Sequence, residues 1–214
     1  MSEDVPLSEL RPRLVAAMLP HVPFDGWTAT ALAAGAADAG IDPDIAAMAL
    51  PDAPAMIAAY IAHADAQMAE AMAGTHNMKI RDRIRQALRV RFEAAAPHKE
   101  AVRRALPILA QPQHAALSAR TLWGTADAIW RAAGDTATDY NHYTKRAILS
   151  AVYSSSLLVW LEDESEGHAD TFAFVDRRID GVMRFEKTKA KLLGVVDKLP
   201  DPARFLGRLR YPTV

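Results

Sequence analysis

Helical periodicity is the feature that most limits what this chain can fold into. Along most of its 214 residues, apolar side chains recur three and four positions apart, in segments rich in Ala, Leu, Arg, Glu and Met. The Val/Ile/Thr alternation that is typical of strands is missing. Proline and glycine interrupt the pattern, and the segments between them predict about nine helices, at residues 7–19, 28–39, 43–49, 53–74, 78–96, 99–109, 112–133, 139–163 and 168–197. The sequence therefore predicts an all-α protein.

Composition excludes several classes of protein. Half of the residues are apolar, 24% are charged and the formal net charge is −1, which is typical of a globular chain. There is no cysteine, so neither a disulfide nor a thiolate metal site is expected. The first residues, MSEDVPLSEL, are acidic and lack an apolar run, so we expect no signal or transit peptide. No apolar run approaches the roughly 20 residues that span a bilayer, and we expect a soluble intracellular protein.

The order of helix lengths resembles a known architecture. Three short predicted helices fall within the first 50 residues, and two long ones come last. The stretch GWTATALAAGAADAGIDPDIAAMALP is similar to the helix-turn-helix head of the tetracycline-repressor superfamily, in which a larger helical ligand-binding body follows. We therefore expect a degenerate head at residues 1–52, a helical body at 53–198 and a tail at 199–214.

The predicted head lacks the charges that bind DNA. Between Leu14 and Met78 there is no Lys or Arg, whereas the same stretch contains seven acidic residues. The helix in the position of a recognition helix, PDIAAMAL, provides an acid and methyl groups in place of base-reading side chains. The arginines that follow lie in the body, where a solvated helix face explains them. We expect no nucleic acid partner.

Sequence motifs for catalysis are missing as well. The seven histidines are scattered without a Glu-x-x-His or His-x-x-x-His pair, and there is no phosphate-binding glycine loop and no nucleophile elbow. The acidic cluster at residues 162–166 precedes Gly167, where a solvated loop is expected. The interpretation is a protein without catalytic residues, metal or cofactor.

The two long C-terminal helices allow two interpretations. Small side chains on the first of them, such as Ala147, Ala151 and Ser154, let another helix approach closely, either within the chain or across a two-fold axis. The C-terminal half also concentrates aromatic residues, which are typical of a core and would equally line a cavity for a long apolar ligand. The sequence therefore leaves open whether these helices pack within the chain or across a dimer, and whether the aromatic residues form a core or a cavity.

The tail, LPDPARFLGRLRYPTV, is basic and amphipathic. A short helix there would carry apolar groups on one side with arginines beside them, at Arg204, Phe205, Leu206, Arg208 and Leu209. Such a helix can lie in a membrane interface with its cations on anionic headgroups. The alternative is a terminal helix that packs on the body or a disordered segment.

The run LWGTADAIWRAAGDTATDYNHYTKRAILSAVYSSSLLVWLEDES, continued by TFAFVDRRIDGVMRFEKTKAK, resembles the coenzyme Q biosynthesis accessory lipid-binding proteins, and the chain is identified as similar to their bacterial members. The resemblance extends from residue 122 to 191, and toward the N-terminus it rests on helix order alone. The matching residues are Trp130, Gly134, Asp135, Thr138, Asp139, Asn141, Tyr143, Thr144, Arg146, Leu149 and Tyr153.

The resemblance implies a tetracycline-repressor-like fold that no longer binds DNA, usually a homodimer, with a C-terminal amphipathic helix for membrane docking. It implies an accessory, non-enzymatic protein of ubiquinone biosynthesis that binds an isoprenoid quinone intermediate or another lipid and presents it to the demethoxyubiquinone hydroxylase. Its location would be the cytoplasmic side of the inner membrane, as a peripheral protein. We expect the lipid pocket at Trp123, Trp130, Ile148, Val152 and Tyr153. The alternative is a transcriptional regulator that senses a lipid.

In this family the TDYNHYTKR region is the surface that engages the hydroxylase. By match to that motif, the partner-facing residues would be Asp139, Tyr140, His142, Tyr143 and Arg146. Position 142 departs from the eukaryotic pattern, which has Trp there, so the contact would be smaller or differently shaped. Alternatively, Tyr140 and Tyr143 fix the start of the helix against the body.

Overall fold

The computed structural model describes residues 6–75, 77–135 and 140–196, and these ranges are helical without a strand. They form nine helices of at least seven residues and one of a single turn: α1 Leu7–Met18, α2 Val22–Asp25, α3 Ala29–Asp38, α4 Pro43–Ala49, α5 Ala53–Ala71, α6 Ile80–Ala95, α7 Lys99–Leu109, α8 Ala115–Ala132, α9 Tyr140–Glu162 and α10 Ala169–Val196. The predicted all-α class is confirmed.

Local signals explain where the helices begin and end. The side chains of Asp42 and Asp52 accept hydrogen bonds from backbone N–H groups in the first turns of α4 and α5. Gly40 and Gly134 follow α3 and α8 with φ of +64° and +82°, a backbone conformation that favours glycine. The single-turn α2 was not predicted, because Pro20, which precedes it, and Pro23, within it, indicated a break between helices.

The first four helices form the head. Gly35 of α3 lies so close to α1 that a Cβ built on it would be 2.6 Å from the Cα of Met18, so only glycine permits this packing. The guanidinium of Arg11 donates to the carbonyl oxygen of Ala49 at 3.1 Å, which connects α1 to the end of α4. Met48 of α4 is 78% exposed. The head therefore has its own packed interior and leaves an apolar side chain of α4 at the surface.

Helices α5 to α9 form the body. Helix α5 packs against α1, α6, α7 and α8, and α8 packs in turn against α6 and α9. Trp27, just before α3, joins the head to this body: its indole N–H donates to the carbonyl oxygen of Ala101 at 2.9 Å, and its ring lies 5.7 Å from that of Tyr60. The central position of α5 allows helices from several parts of the chain to line one interior space.

Contacts divide the chain into two compact units, Met1–Val175 and Asp176–Val214. Head and body thus belong to the same unit, and the predicted boundaries at 52/53 and 198/199 stay predictions. Among the described residues no single helix combines the length and hydropathy needed to cross a bilayer, although the bent pair Pro43–Ala49 and Ala53–Ala71 does so by length and composition together.

Candidate functional site

A cavity of about 370 Å³ lies among helices α5 to α9. Its volume falls within the range of roughly 300–1,000 Å³ that small-molecule sites occupy. Ile57, Phe92 and Trp160 contribute buried walls, whereas Leu158, on the same cavity, is 60% exposed. The space therefore reaches from the core of the body to its surface.

Aromatic rings form one side of the cavity. The ring of Phe92 stacks between two others, with centroids 5.8 Å from Tyr153 and 5.6 Å from Trp160. Most of the remaining wall is aliphatic and comes from α7 and α8, including Leu106 and Leu122. Such a wall favours an apolar ligand, because burial of apolar surface is favourable and such rings lose little entropy on binding.

One charged side chain interrupts this apolar wall. Arg91 of α6 lines the cavity and is only 5% exposed. Its Nη2 lies 3.2 Å from Oδ1 of Asp65 on α5, and its guanidinium carbon lies 5.4 Å from the centre of the Tyr153 ring. The hydroxyl of Thr125, another lining residue, donates to the second oxygen of Asp65 at 3.0 Å. The cavity thus has a polar region made by four helices.

Burial sets the protonation states of this region. It raises the pKa of Tyr60 to about 12, against the lowering effect of Arg91. Burial also raises the pKa of Asp65, while Arg91 and the hydrogen bond from Thr125 lower it. Burial disfavours the charged form of Arg91, but Tyr153, Asp65 and Tyr60 outweigh that effect and its pKa lies above the ordinary value. At neutral pH the region therefore presents a cation and an un-ionised Tyr60 hydroxyl.

A second feature lies where α8 turns into α9, and we call it the clasp: Asp127, Trp130, Asp135, Lys145 and Arg146. Arg146 is 2% exposed; its Nε lies 2.5 Å from Asp127, and its Nη1 lies 3.4 Å from Asp135. Lys145 pairs with Asp135 at 2.7 Å, and the indole of Trp130 donates to the Lys145 carbonyl at 3.1 Å. The clasp fixes the start of α9 against the end of α8.

Comparison with known proteins bears on both features. Residues 115–186, which include the clasp and all of α9, match the family model COQ9. The chain is 32% identical over 189 residues to the mitochondrial ubiquinone biosynthesis protein COQ9 of Rattus norvegicus and 31% identical over 189 residues to that of Homo sapiens. Each alignment covers 84% of this chain, and the chain spans 61% and 59% of the two relatives.

The predicted resemblance to the COQ9 family is confirmed.

Solved structures show the COQ9-like chain to have the predicted tetracycline-repressor-like fold. A TetR transcriptional regulator from Nitrosomonas europaea superimposes with a TM-score of 0.64 at 17% identity, covering 80% of this chain and 97% of the regulator. A tetR-family regulator from Streptomyces coelicolor gives a TM-score of 0.54 at 16% identity, covering 96% of this chain and 97% of its own. At these identities the likeness shows the fold alone.

Of the five residues predicted for the lipid pocket, Tyr153 lines the cavity. Trp130 instead belongs to the clasp, and Trp123 lies beside Tyr143, with ring centroids 6.1 Å apart. Val152 is buried without lining the cavity, and Ile148 is half-buried elsewhere on α9. The sequence overlooked the contribution of α5, α6 and α7 because their lining residues are individually ordinary core side chains.

A signal for Arg91 was present in the sequence. The apolar stripe of α6 runs through Ile84, Leu88, Phe92 and Ala95, and Arg91 occupies a position on that same face. A cation on an apolar stripe indicates a buried polar contact. The prediction of a solvated face included all the arginines of α6, and for Arg91 it is wrong, because that side chain is buried.

The predicted partner-facing residues separate into three groups. Tyr143 is 63% exposed, and His142 is half-buried with its ring 5.2 Å from that of Tyr143. Arg146 differs from the prediction, because its guanidinium lies beneath the surface in the clasp. Asp139 and the side chain of Tyr140 lie outside the described residues, although α9 begins at Tyr140.

The remaining predicted sites have different outcomes. The tail positions Arg204, Phe205, Leu206, Arg208 and Leu209 lie outside the described residues. In the acidic cluster, Asp163 accepts hydrogen bonds from Ser165 and from the N–H of Thr171 at 2.8 Å, so it caps the start of α10. Burial opposes its ionisation, but the Ser165 and Thr171 hydrogen bonds outweigh this and lower its pKa. Within residues 6–75, 77–135 and 140–196, no three His, Asp or Glu side chains are arranged to hold a metal.

Proposed function

We propose that this protein acts in ubiquinone biosynthesis as a lipid-binding accessory protein that takes up an isoprenoid quinone intermediate and presents it to the demethoxyubiquinone hydroxylase. The observation that carries the proposal is the cavity, whose wall is apolar and aromatic and which reaches the surface at Leu158. The pathway is supported by the similarity to ubiquinone biosynthesis proteins. No chemical step is assigned to the protein itself.

The size of the cavity limits what it encloses. At about 30 Å³ for each water-sized group, 370 Å³ accommodates roughly a dozen such groups. That is enough for a substituted quinone ring without its chain, or for about two isoprene units without a ring. A longer polyprenyl chain extends beyond the cavity, and its remainder lies in a membrane or along the protein surface.

The surface proposed for the hydroxylase is formed by Tyr143, His142 and Trp123, on top of the clasp. Aromatic side chains that are exposed and rigidly held make good anchors at protein interfaces. The inward ion pairs of Lys145 and Arg146 support this role by fixing the first turns of α9. Asp139 and Tyr140 complete the proposed surface by their match to the family motif.

Membrane docking is proposed for the tail around Arg204, Phe205 and Leu209. Two or three bulky apolar groups, at up to about 2 kcal/mol each, support weak and reversible binding to a bilayer, helped by the arginines. The protein would then be peripheral on the cytoplasmic side of the inner membrane. A homodimer through α9 and α10 is also part of the proposal, supported by the small, exposed side chains of Ala147 and Ala151.

The head supports a function without DNA. Asp42 and Asp44 lie at the start of α4, the helix in the position of a recognition helix, and Met48 is exposed on it. Acidic and methyl groups at that position repel phosphates and read no base edges. The fold is therefore proposed to serve ligand binding in the body.

The experiment that tests lipid binding is native mass spectrometry of the purified protein with its co-purifying lipids. We expect a bound quinone or isoprenoid in the wild type. Ser154→Phe, which fills the cavity, is expected to lose most of that ligand. Ser155→Phe is the matched control, because it makes the same change on the same helix outside the cavity. An empty wild-type protein that takes up no quinone from liposomes would refute the proposal.

A further inference from the structure

A cavity that binds only an isoprenoid chain needs only apolar side chains, yet the charged side chain of Arg91 lines this one. Removing a guanidinium from water is costly unless the charge is paired and its N–H groups are hydrogen-bonded. Arg91 pairs with Asp65 and shares a hydrogen bond with the Tyr153 side chain, but its Nε has no hydrogen-bond partner within residues 6–75, 77–135 and 140–196. The buried polar group is thus incompletely satisfied beside an open space.

Stability alone does not account for this arrangement. Replacing a buried ion pair with apolar residues of similar volume is often neutral or stabilising. The Asp65–Arg91 pair joins α5 to α6, which pack against each other and each bury apolar residues, such as Ile57 and Leu88. The position of Arg91 on the cavity wall is instead explained if a bound ligand uses it.

We propose that Arg91, flanked by Tyr60 and Tyr153, is a polar subsite that binds an uncharged oxygen-bearing group of the cavity ligand, such as a ring carbonyl or ether oxygen. This inference rests on the proposed lipid-binding function and adds to it the chemistry of the bound end. The three side chains all line the cavity, and their polar groups include the N–H donors of Arg91 and the hydroxyls of both tyrosines.

The charge balance selects an uncharged ligand group. Asp65, 3.2 Å from the guanidinium, already neutralises Arg91. A carboxylate or phosphate would add an unbalanced negative charge next to Asp65, which is unfavourable in a buried site. A carbonyl oxygen accepts hydrogen bonds without that cost. The ring of a quinone meets this requirement, and its chain would then lead toward Leu158 and the surface.

The test compares three probes of similar chain length on the full-length protein: a decyl-substituted dimethoxybenzoquinone, the hydrocarbon dodecane and the carboxylate laurate. We expect the wild type to bind the quinone at least about tenfold more tightly than either of the other two. The double variant Asp65→Asn/Arg91→Met removes both charges together, so neither partner is left alone. It is expected to bring the quinone-to-hydrocarbon affinity ratio close to one.

Two further variants serve as a control for the removal of charge and as a second test of the subsite. Arg89→Met/Glu93→Gln removes an exposed ion pair from the same helix away from the cavity and is expected to retain the wild-type ratio. Tyr60→Phe deletes one hydroxyl and should lower the ratio several-fold, even if the double variant fails to fold. Circular dichroism and thermal unfolding report whether each variant is folded.

The outcomes separate the two proposals. If the wild type binds none of the probes, lipid binding fails and the subsite fails with it. If it binds quinone and hydrocarbon equally, or if quinone selectivity survives in both Tyr60→Phe and the double variant, the subsite alone is wrong. A preference for laurate would overturn the choice of an uncharged group.

Discussion

Two buried arginines, Arg91 in the cavity wall and Arg146 in the clasp, have different surroundings. Arg146 faces two carboxylates, those of Asp127 and Asp135, and also donates to the carbonyl of His142 at 3.2 Å. Arg91 faces one carboxylate and leaves its Nε without a partner among the described residues. Burial alone therefore does not distinguish a structural arginine from one that is available to a ligand. The number of hydrogen-bond acceptors around the guanidinium does.

The largest expected effect is on the clasp. Arg146→Met should lower the free energy of unfolding by about 3 kcal/mol, because Asp127 and Asp135 would lose the cation they share. Arg131→Met is the control: it removes a 73%-exposed partner of Asp127 and should cost less than about 1 kcal/mol. Urea unfolding measures both. Equal losses would mean that Arg146 is no more structural than a surface residue.

The second-largest effect is expected at the cavity, where single and double variants measure how much the Asp65–Arg91 pair contributes to the free energy of unfolding. Arg91→Met alone is expected to cost about 2 kcal/mol, because the buried carboxyl group of Asp65 loses its cation and keeps only the hydrogen bond from Thr125. The double variant with Asp65→Asn should recover most of this loss. If the double variant lost as much stability as the two single variants added together, the Asp65–Arg91 interaction would contribute nothing to stability. The proposed difference between Arg91 and Arg146 would then be wrong.

Tyr60, which lies beside Arg91 on the cavity wall, is expected to make the stability of the protein depend on pH. The pKa of Tyr60 is raised to about 12 from 10.0, so the folded state holds that proton more tightly than the unfolded state does. Its contribution to stability is full below pH 10 and is lost as the pH rises toward 12. Compared with Tyr60→Phe, the wild type should lose about 1 kcal/mol more between pH 8 and pH 11. Parallel unfolding curves for both proteins across that range would contradict the assignment.

The smallest effect tests redundancy in the clasp. Lys145→Met removes one of two cations from Asp135, and Arg146 remains 3.4 Å away. The expected loss is below about 1 kcal/mol, because the Lys145 side chain is partly exposed. A loss as large as that of Arg146→Met would show that Lys145, and not the buried guanidinium, holds Asp135.

Local sequence signals predicted most of the fold. The bounds of α4 and α7 agree with the structure residue for residue, because punctuation by proline and glycine and the spacing of apolar residues act within a few positions. The short α2 was missed since its prolines resemble a loop. Thr28 caps the start of α3, where its side chain accepts a hydrogen bond from the N–H of Ala31, and Asp25 ends α2.

The candidate site was predictable only in part. Tyr153 was predicted to line the cavity, and it does. Trp123 and Trp130 were also predicted to line it, but the amino-acid composition of a helix does not show toward which neighbour each aromatic side chain points. Arg146 was placed on the partner-facing surface by its match to the family motif, which does not show the direction of its side chain. Nothing local distinguishes it from the exposed arginines of α6.

By itself, the sequence determined the all-α class, the positions of the helices and the resemblance to the COQ9 family, because these depend on periodicity, turn residues and a contiguous motif. Only the tertiary structure decided which helices enclose the cavity and which arginine is satisfied. Those properties depend on side chains brought together from α5, α6, α8 and α9, and the environment of a buried charge is set by such distant partners rather than by its neighbours in the chain.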